Sequence, residues 1–238
     1  MSECYSVIDN CGAQVNRLDC DGNILNGATD VVVTCALVDY SVNPVRGESR
    51  TTSSPNGQGG TCARRNDEGK VEEYEIVLTL CSKTDVDLME VLGLWDRIVD
   101  PNTGEGIGWK PISEDDACYC APPTGGCRNP GVSMILWHVA WDDEEQKNDL
   151  PFVIEAFTRI KFDAGSISRT RNAEFNGYEV TGRAIKNENW GRGPGNLYPE
   201  VAGLTVESGE WNSDVEPPNG CSCDACGYAA APDFVGAP

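Results

Sequence analysis

"KVEEYEIVLTLCS", Lys70 to Ser82, alternates along its middle: Tyr74, Ile76, Leu78 and Leu80 fall on one side, Glu73, Glu75, Val77 and Thr79 on the other. Period two over that length marks a strand with one face in a core and one in water. The pattern recurs in "PFVIEAFTRIKF", Pro151 to Phe162, where Phe152, Ile154, Ala156, Ile160 and Phe162 lie opposite Val153, Glu155, Phe157, Arg159 and Lys161. "DVVVTCALVDYSV" (Asp30 to Val42) and "GVSMILWHVAW" (Gly131 to Trp141) are apolar on both faces and predict more deeply buried strands. "EFNGYEVTGRAIK", Glu174 to Lys186, completes at least five long strands.

A single helix is expected in "TDVDLMEVLGLWDR". Thr84 is its N-cap, Asp85 and Asp87 lie in an acidic first turn, and Val86, Leu88, Val91, Leu92 and Trp95 form the apolar stripe, with Gly93 weakening it. Many strands and one helix predict a mainly β fold, an antiparallel sandwich or half-barrel with the helix on its flank. The chain reads as one main domain, 1–206, with a long polar connection at 43–67, a cysteine-rich insert at 114–130 and a loosely packed extension at 207–238.

The 238 residues carry 38 Asp and Glu against 18 Lys and Arg, a formal charge of −20. Such a field repels a nucleic-acid backbone, so contact with DNA is expected to be non-adhesive. The charge is uneven: residues 66–150 hold 19 acidic and 6 basic side chains, whereas residues 159–192 hold 7 basic and 4 acidic. Opposite-sign surfaces on one chain suit steering between copies, and a scattered solvated surface is the plainer alternative. "MSECYSVIDNCG" has no basic n-region and no apolar run, so no secretory signal is expected, and no stretch approaches the ~18 apolar residues of a membrane span.

Catalytic patterns are sparse. The one histidine, His138, is centred in an apolar strand and reads as a core residue rather than a general base. "LDCDGNILNGATD" places Asp19, Asp21, Asn23 and Asp30 at calcium-loop spacing, but Ile24 stands where that loop turns on glycine, so a hairpin turn through Asp21-Gly22-Asn23 is expected instead. Asp142 to Glu145 read as a solvated turn rather than a hard-cation site. "NENWGRGPGNLYPE", Asn187 to Glu200, fails as a phosphate loop because Pro194 removes an N–H and Pro199 disfavours a following helix. Trp190 is its apolar anchor. Among the twelve cysteines, Cys118, Cys120 and Cys127, and Cys221, Cys223 and Cys226, form two clusters. Only the Cys223–Cys226 spacing suits zinc well, so a structural metal, disulfides and free thiols all stay open; no other cofactor is expected.

The segment from Leu150 to Glu200 resembles the C-terminal half of the major tail (tail tube) proteins of long-tailed phages of actinobacteria. The likeness lies in a Pro-led strand, a basic turn, an A-x-F strand ending in T-G-R-A, and N-W-G-x-G-P. "NRLDCDGN" and "DVDLMEVLGLWD" also look like that family, whereas the insert at Cys118 to Cys127 and the chain after Glu207 depart from it. The resemblance implies a structural virion protein, not an enzyme, made in the host cytoplasm and assembled as stacked six-membered rings through which DNA passes, with tape-measure and tail-terminator proteins as further partners. Glu73, Glu75, Glu155 and Glu179 would then line an acidic lumen. Arg46, Arg50, Arg64 and Arg65 in the long loop, with Arg169, Arg171 and Trp190, would meet neighbouring subunits. A cysteine-stapled capsid decoration or receptor-binding module, offering Trp190, Tyr198 and Trp211, is the alternative.

Overall fold

The computed structural model describes residues 6–34, 37–46, 50–55, 61–67, 71–81, 86–111, 130–141, 150–163, 167–171 and 176–218. In chain order the strands are β1 (Ser6–Arg17), β2 (Val31–Thr34), β3 (Leu37–Arg46), β4 (Arg50–Pro55), β5 (Thr61–Asp67) and β6 (Val71–Cys81). After the helix α1 (Val86–Val91) come β7 (Trp95–Val99), β8 (Gly106–Pro111), β9 (Val132–Trp141), β10 (Phe152–Phe162), β11 (Ser168–Arg171), β12 (Asn176–Ala184) and β13 (Ser208–Ser213). All described pairings are antiparallel.

One sheet runs β2-β1-β9-β10-β12-β6-β3, with β11 added to β12 and β13 to β10. It folds over on itself, because Tyr40 of β3, at one end of that path, lies edge-on to Phe157 of β10 in its middle, ring centroids 6.5 Å apart. The main core fills the space between the two layers. Ile76, Leu78, Leu80, Tyr178 and Val180 come from one layer and Ala13, Val15, Met134, Leu136 and Phe157 from the other. Leu88, Met89, Val91 and Leu92 of α1 pack into the same core. The architecture is thus an antiparallel β-sandwich with a flanking helix, as the alternation of β6 requires.

A second core covers the opposite face of the β9–β10 layer, where Ile135, Trp137, Ile154 and Ala156 meet Trp190 and Tyr198. The segment carrying those two rings is pinned at its start by Asn187, whose side-chain NH2 donates to the carbonyls of Gly22 and Thr158, and by Asn189, which donates to Asp21. The turn it grips is the expected one. The Asp19 carboxylate accepts from the backbone N–H of Asp21 and Asn23, and Leu18 bridges Ile24.

Several expectations are corrected. The helix ends at Val91, not Arg97: Gly93 takes φ 72°, a left-handed residue that closes a helix, and Trp95 begins β7. In β10 the alternation breaks. The register with β9 slips between Phe157 and Ile160, so Phe157, Ile160 and Phe162 share the main core, while Ile154 and Ala156 face the second. Within 43–67, β3 continues to Arg46 and β4 and β5 form a hairpin, in keeping with the strand preference of its threonines. The boundary at 206 also moves, since β13 pairs with β10 and the Trp137 indole N–H donates to the Val215 carbonyl.

The glycine run divides by environment. A Cβ on Gly193 would lie 2.6 Å from Tyr198 Cδ2 and 2.9 Å from Trp190 Cζ2, whereas one on Gly191 would meet nothing within 4 Å. Trp190→Ala is expected to cost about 3–5 kcal/mol of stability. Gly193→Ala should cost more than Gly191→Ala, for which only the left-handed backbone penalty of about 1–2 kcal/mol applies. Urea denaturation of the three variants checks the order.

Candidate functional site

Strand registry places exposed and half-buried side chains of five strands in transverse rows on the outer face of the β3–β6–β12 layer. Asn43, Glu75, Arg183 and Lys161 stand opposite one another in turn, as do Asp39, Thr79, Glu179 and Ser168, with Ser41, Val77 and Thr181 between and Val45 opposite Glu73 at the end. Directly paired antiparallel residues share a face, so these rows form one continuous polar surface. It carries the carboxylates of Asp39, Glu73, Glu75 and Glu179 against the cations of Arg183 and Lys161. Arg183 donates to Glu73 at 2.7 Å, which offsets the repulsion between Arg183 and Lys161 standing side by side.

Three of the four nominated lumen carboxylates therefore converge on this face. Glu155 does not, because β10 is buried on both sides along its first half, so no face of it there is water-facing. Its carboxylate turns inward and accepts from the Tyr40 hydroxyl at 2.5 Å, while Tyr40 Oη lies 3.1 Å from His138 Nε2. With the single hydroxyl proton given to Glu155, the His138 contact requires the proton on Nε2. Tyr40 and His138 also stack, centroids 5.9 Å apart. His138 is 7% exposed, a core histidine as its sequence setting implies, and Tyr40 is the partner the sequence reading passed over.

Desolvation raises the Glu155 carboxyl above its ordinary value, helped by the negative charge of Glu210 opposite it on β13 and countered by the Tyr40 hydrogen bond. Burial lowers His138 below its ordinary value against the pull of Glu210, and burial with the Glu155 contact raises Tyr40. A tyrosine held protonated and a histidine held neutral make a polar tie between layers. At Asp19 desolvation is the largest single influence and raises the carboxyl, but the hydrogen bonds from Asn23, Asp21 and Gly22 together outweigh it and hold the carboxyl low within its own turn.

The nominated contact residues part company. Arg46 is exposed at the end of β3, whereas Trp190 is 1% exposed and belongs to the second core, so it is not a surface for a neighbour. Arg50, Arg64 and Arg65 stand in the β4–β5 register opposite Asp67, Ser53 and Thr52, and Arg169 and Arg171 opposite Tyr178 and Asn176. Cys118, Cys120, Cys127, Cys221, Cys223 and Cys226 lie outside the described residues, as does the run Asp142 to Glu145. Cys11 is buried and disulfide-bonded, and Cys20 is exposed. Among the described residues no cluster of three or more His, Cys, Asp or Glu is placed to hold a metal ion, and no helix is long and apolar enough to cross a membrane.

Fold and face together define an antiparallel β-sandwich protein with one solvent-facing, predominantly acidic sheet. No protein-family model matches the chain, and no curated protein matches it.

Because the raised Glu155 value favours the protonated form in the folded protein, that stabilisation is complete below the ordinary 4.5 and fades as pH rises through the folded value. Glu155→Gln keeps an acceptor for Tyr40 and removes the charge. Its stability relative to the parent is expected to be highest near neutral pH and to converge on the parent's as pH falls toward 4.5, read by urea denaturation across that range.

Proposed function

We infer that this chain is the subunit of a phage tail tube, assembling as rings that stack into a conduit for DNA. The observation that carries the reading is the polar face of the β3–β6–β12 layer. It is open to solvent and acidic in balance, with Glu75 and Glu179 exposed among the residues the resemblance assigns to a lumen. An acidic wall presents like charge to the phosphates and lets a duplex slide without gripping it. The outer edge of β3 adds support: among the described residues β3 pairs only with β6, and an unpaired edge is a template for a strand of the next copy.

The competing reading, a decoration or receptor-binding module, depended on aromatic side chains at the surface. Trp190 and Tyr198 are buried, and the half-buried Trp211 donates its indole N–H to Glu200, which removes most of that platform. The tube reading assigns no catalytic role to any residue, and it treats Tyr40, His138 and Glu155 as structural.

Electron microscopy of the purified protein is expected to show six-fold rings or tubes of uniform bore, and a monomer persisting at high concentration would overturn the reading. Phage carrying Glu75→Lys and Glu179→Lys should build tubes yet deliver DNA more slowly, since added cations grip phosphate. Glu73 is left unchanged because its reversal would also break the bond to Arg183. Delivery at the parental rate would count against the lumen assignment.

A further inference from the structure

Ile98, Val99 and Ile107 stand in water at the far end of the β7–β8 hairpin, Ile107 being 65% exposed. The turn that joins these strands carries carboxylates at both ends, Asp100 and Glu105, and is closed by the Gly104 N–H donating to the Asp100 carbonyl. The base of the hairpin is fixed, because Trp95 is buried in the main core and Arg97 binds both Glu90 and Asp87 beside α1. The hairpin is therefore an aliphatic finger with an acidic tip on a firm base.

The opposite face of the same sandwich offers a complement. Leu197 and Arg192 are both exposed on one segment, and the segment also presents bare backbone: Gly191 and Gly203 are joined by a hydrogen bond, and a Cβ on either would meet nothing within 4 Å. Neither Glu105 nor Arg192 has an ion-pair partner among the described residues. Finger and platform lie on opposite sides of one layer. The helix that anchors the finger packs on Met134 and Leu136, and the segment that forms the platform packs on Ile135 and Trp137, the alternate residues of β9.

We propose that the β7–β8 finger of one copy docks on the Arg192–Leu197 platform of a second copy, aliphatic side chains against Leu197 and the bare glycine backbone, with Glu105 facing Arg192. Burial of exposed aliphatic surface supplies the attraction and the charge pair supplies the register. Two different surfaces on opposite sides make the contact head-to-tail, so a docked pair keeps one free platform and one free finger, on different copies, and propagates into a ring or a filament. The inference rests on the self-assembly reading above and names a contact for it.

The test uses the full chain. Glu105→Arg and Arg192→Glu are each expected to raise the concentration needed for assembly by about tenfold or more, and the double exchange to recover most of that loss. Light scattering and sedimentation measure both, and unchanged thermal melting shows that the fold is kept. A photo-crosslinking residue at 107 should link to the 191–206 segment of another copy. Single variants that assemble like the parent, a double variant no better than the singles, or crosslinks elsewhere would each overturn this contact and leave the tube reading standing. Oligomers sensitive to the exchange but never six-fold or tubular would keep the contact and remove the tube, and a parent protein that stays monomeric removes both.

Discussion

Strand β10 is the element on which the rest depends, because its first half is buried on both faces and it pairs along both edges. Its first half lies between β9 and β13, its second half reaches β12, and the slip in register near Thr158 separates the two regimes. An inserted residue bends a strand and changes its twist. Here that change lets one strand leave the β1–β9 layer and begin the β12–β6–β3 layer. Without the slip, Ile160 and Phe162 would stand on the wrong side of the layer from Phe157, and the main core would lose its closing corner.

The fold-over imposes a polar requirement of its own. Bringing β3 across onto β9 and β10 buries the Tyr40 hydroxyl, and a buried hydroxyl without a partner costs free energy comparable to a lost hydrogen bond. Glu155 and His138 supply the two partners, one accepting and one donating. The tie places a carboxylate in a desolvated position next to Glu210, which is why its proton affinity rises. The outer face of β3, β6 and β12 is free of that demand, so its carboxylates remain in water, where repulsion is screened. One element order thus leaves the carboxylates of the outer face in water and draws Glu155 into a desolvated position.

How far the sequence foretold this differs by element. Strict alternation in Glu73 to Leu80 gave β6, its buried face and the exposed Glu75 directly, because a half-buried strand writes both faces into its pattern. Alternation in β10 misassigned Glu155, since the period says which residues share a side but not that both sides are covered, and a bulge at Thr158 leaves no mark in composition. The tie was invisible because Tyr40 and Glu155 are 115 residues apart and meet only once the sheet has folded over. The apolar character of Trp190 marks it as an anchor in the sequence, and its ring packs beside Gly193 in the second core, a partner that composition does not reveal. Strand β1 carries no clear apolar alternation because Gln14 and Asn16, both fully buried, interrupt it, the Gln14 side-chain NH2 donating to the Asn16 side-chain carbonyl instead of to water.

The charge balance constrains any self-association of such a chain. Copies carrying −20 each repel at long range, so attraction between them has to come from short-range contacts that outweigh a screened penalty. Scattered ion pairs do little of this, being worth at most about 1 kcal/mol each at the surface. Apolar burial and strand pairing are insensitive to net charge and can carry the energy. Local cations are then needed only to choose the register. The concentration of basic residues in 159–192 fits that division of labour: Arg159 is spent inside the chain, donating to the Pro130 carbonyl, and Arg183 on Glu73, while Lys161, Lys186 and Arg192 remain exposed. A chain so acidic that it repels both DNA and its own copies can still assemble, provided that its exposed cations share a segment with exposed apolar side chains, as Arg192 does with Leu197.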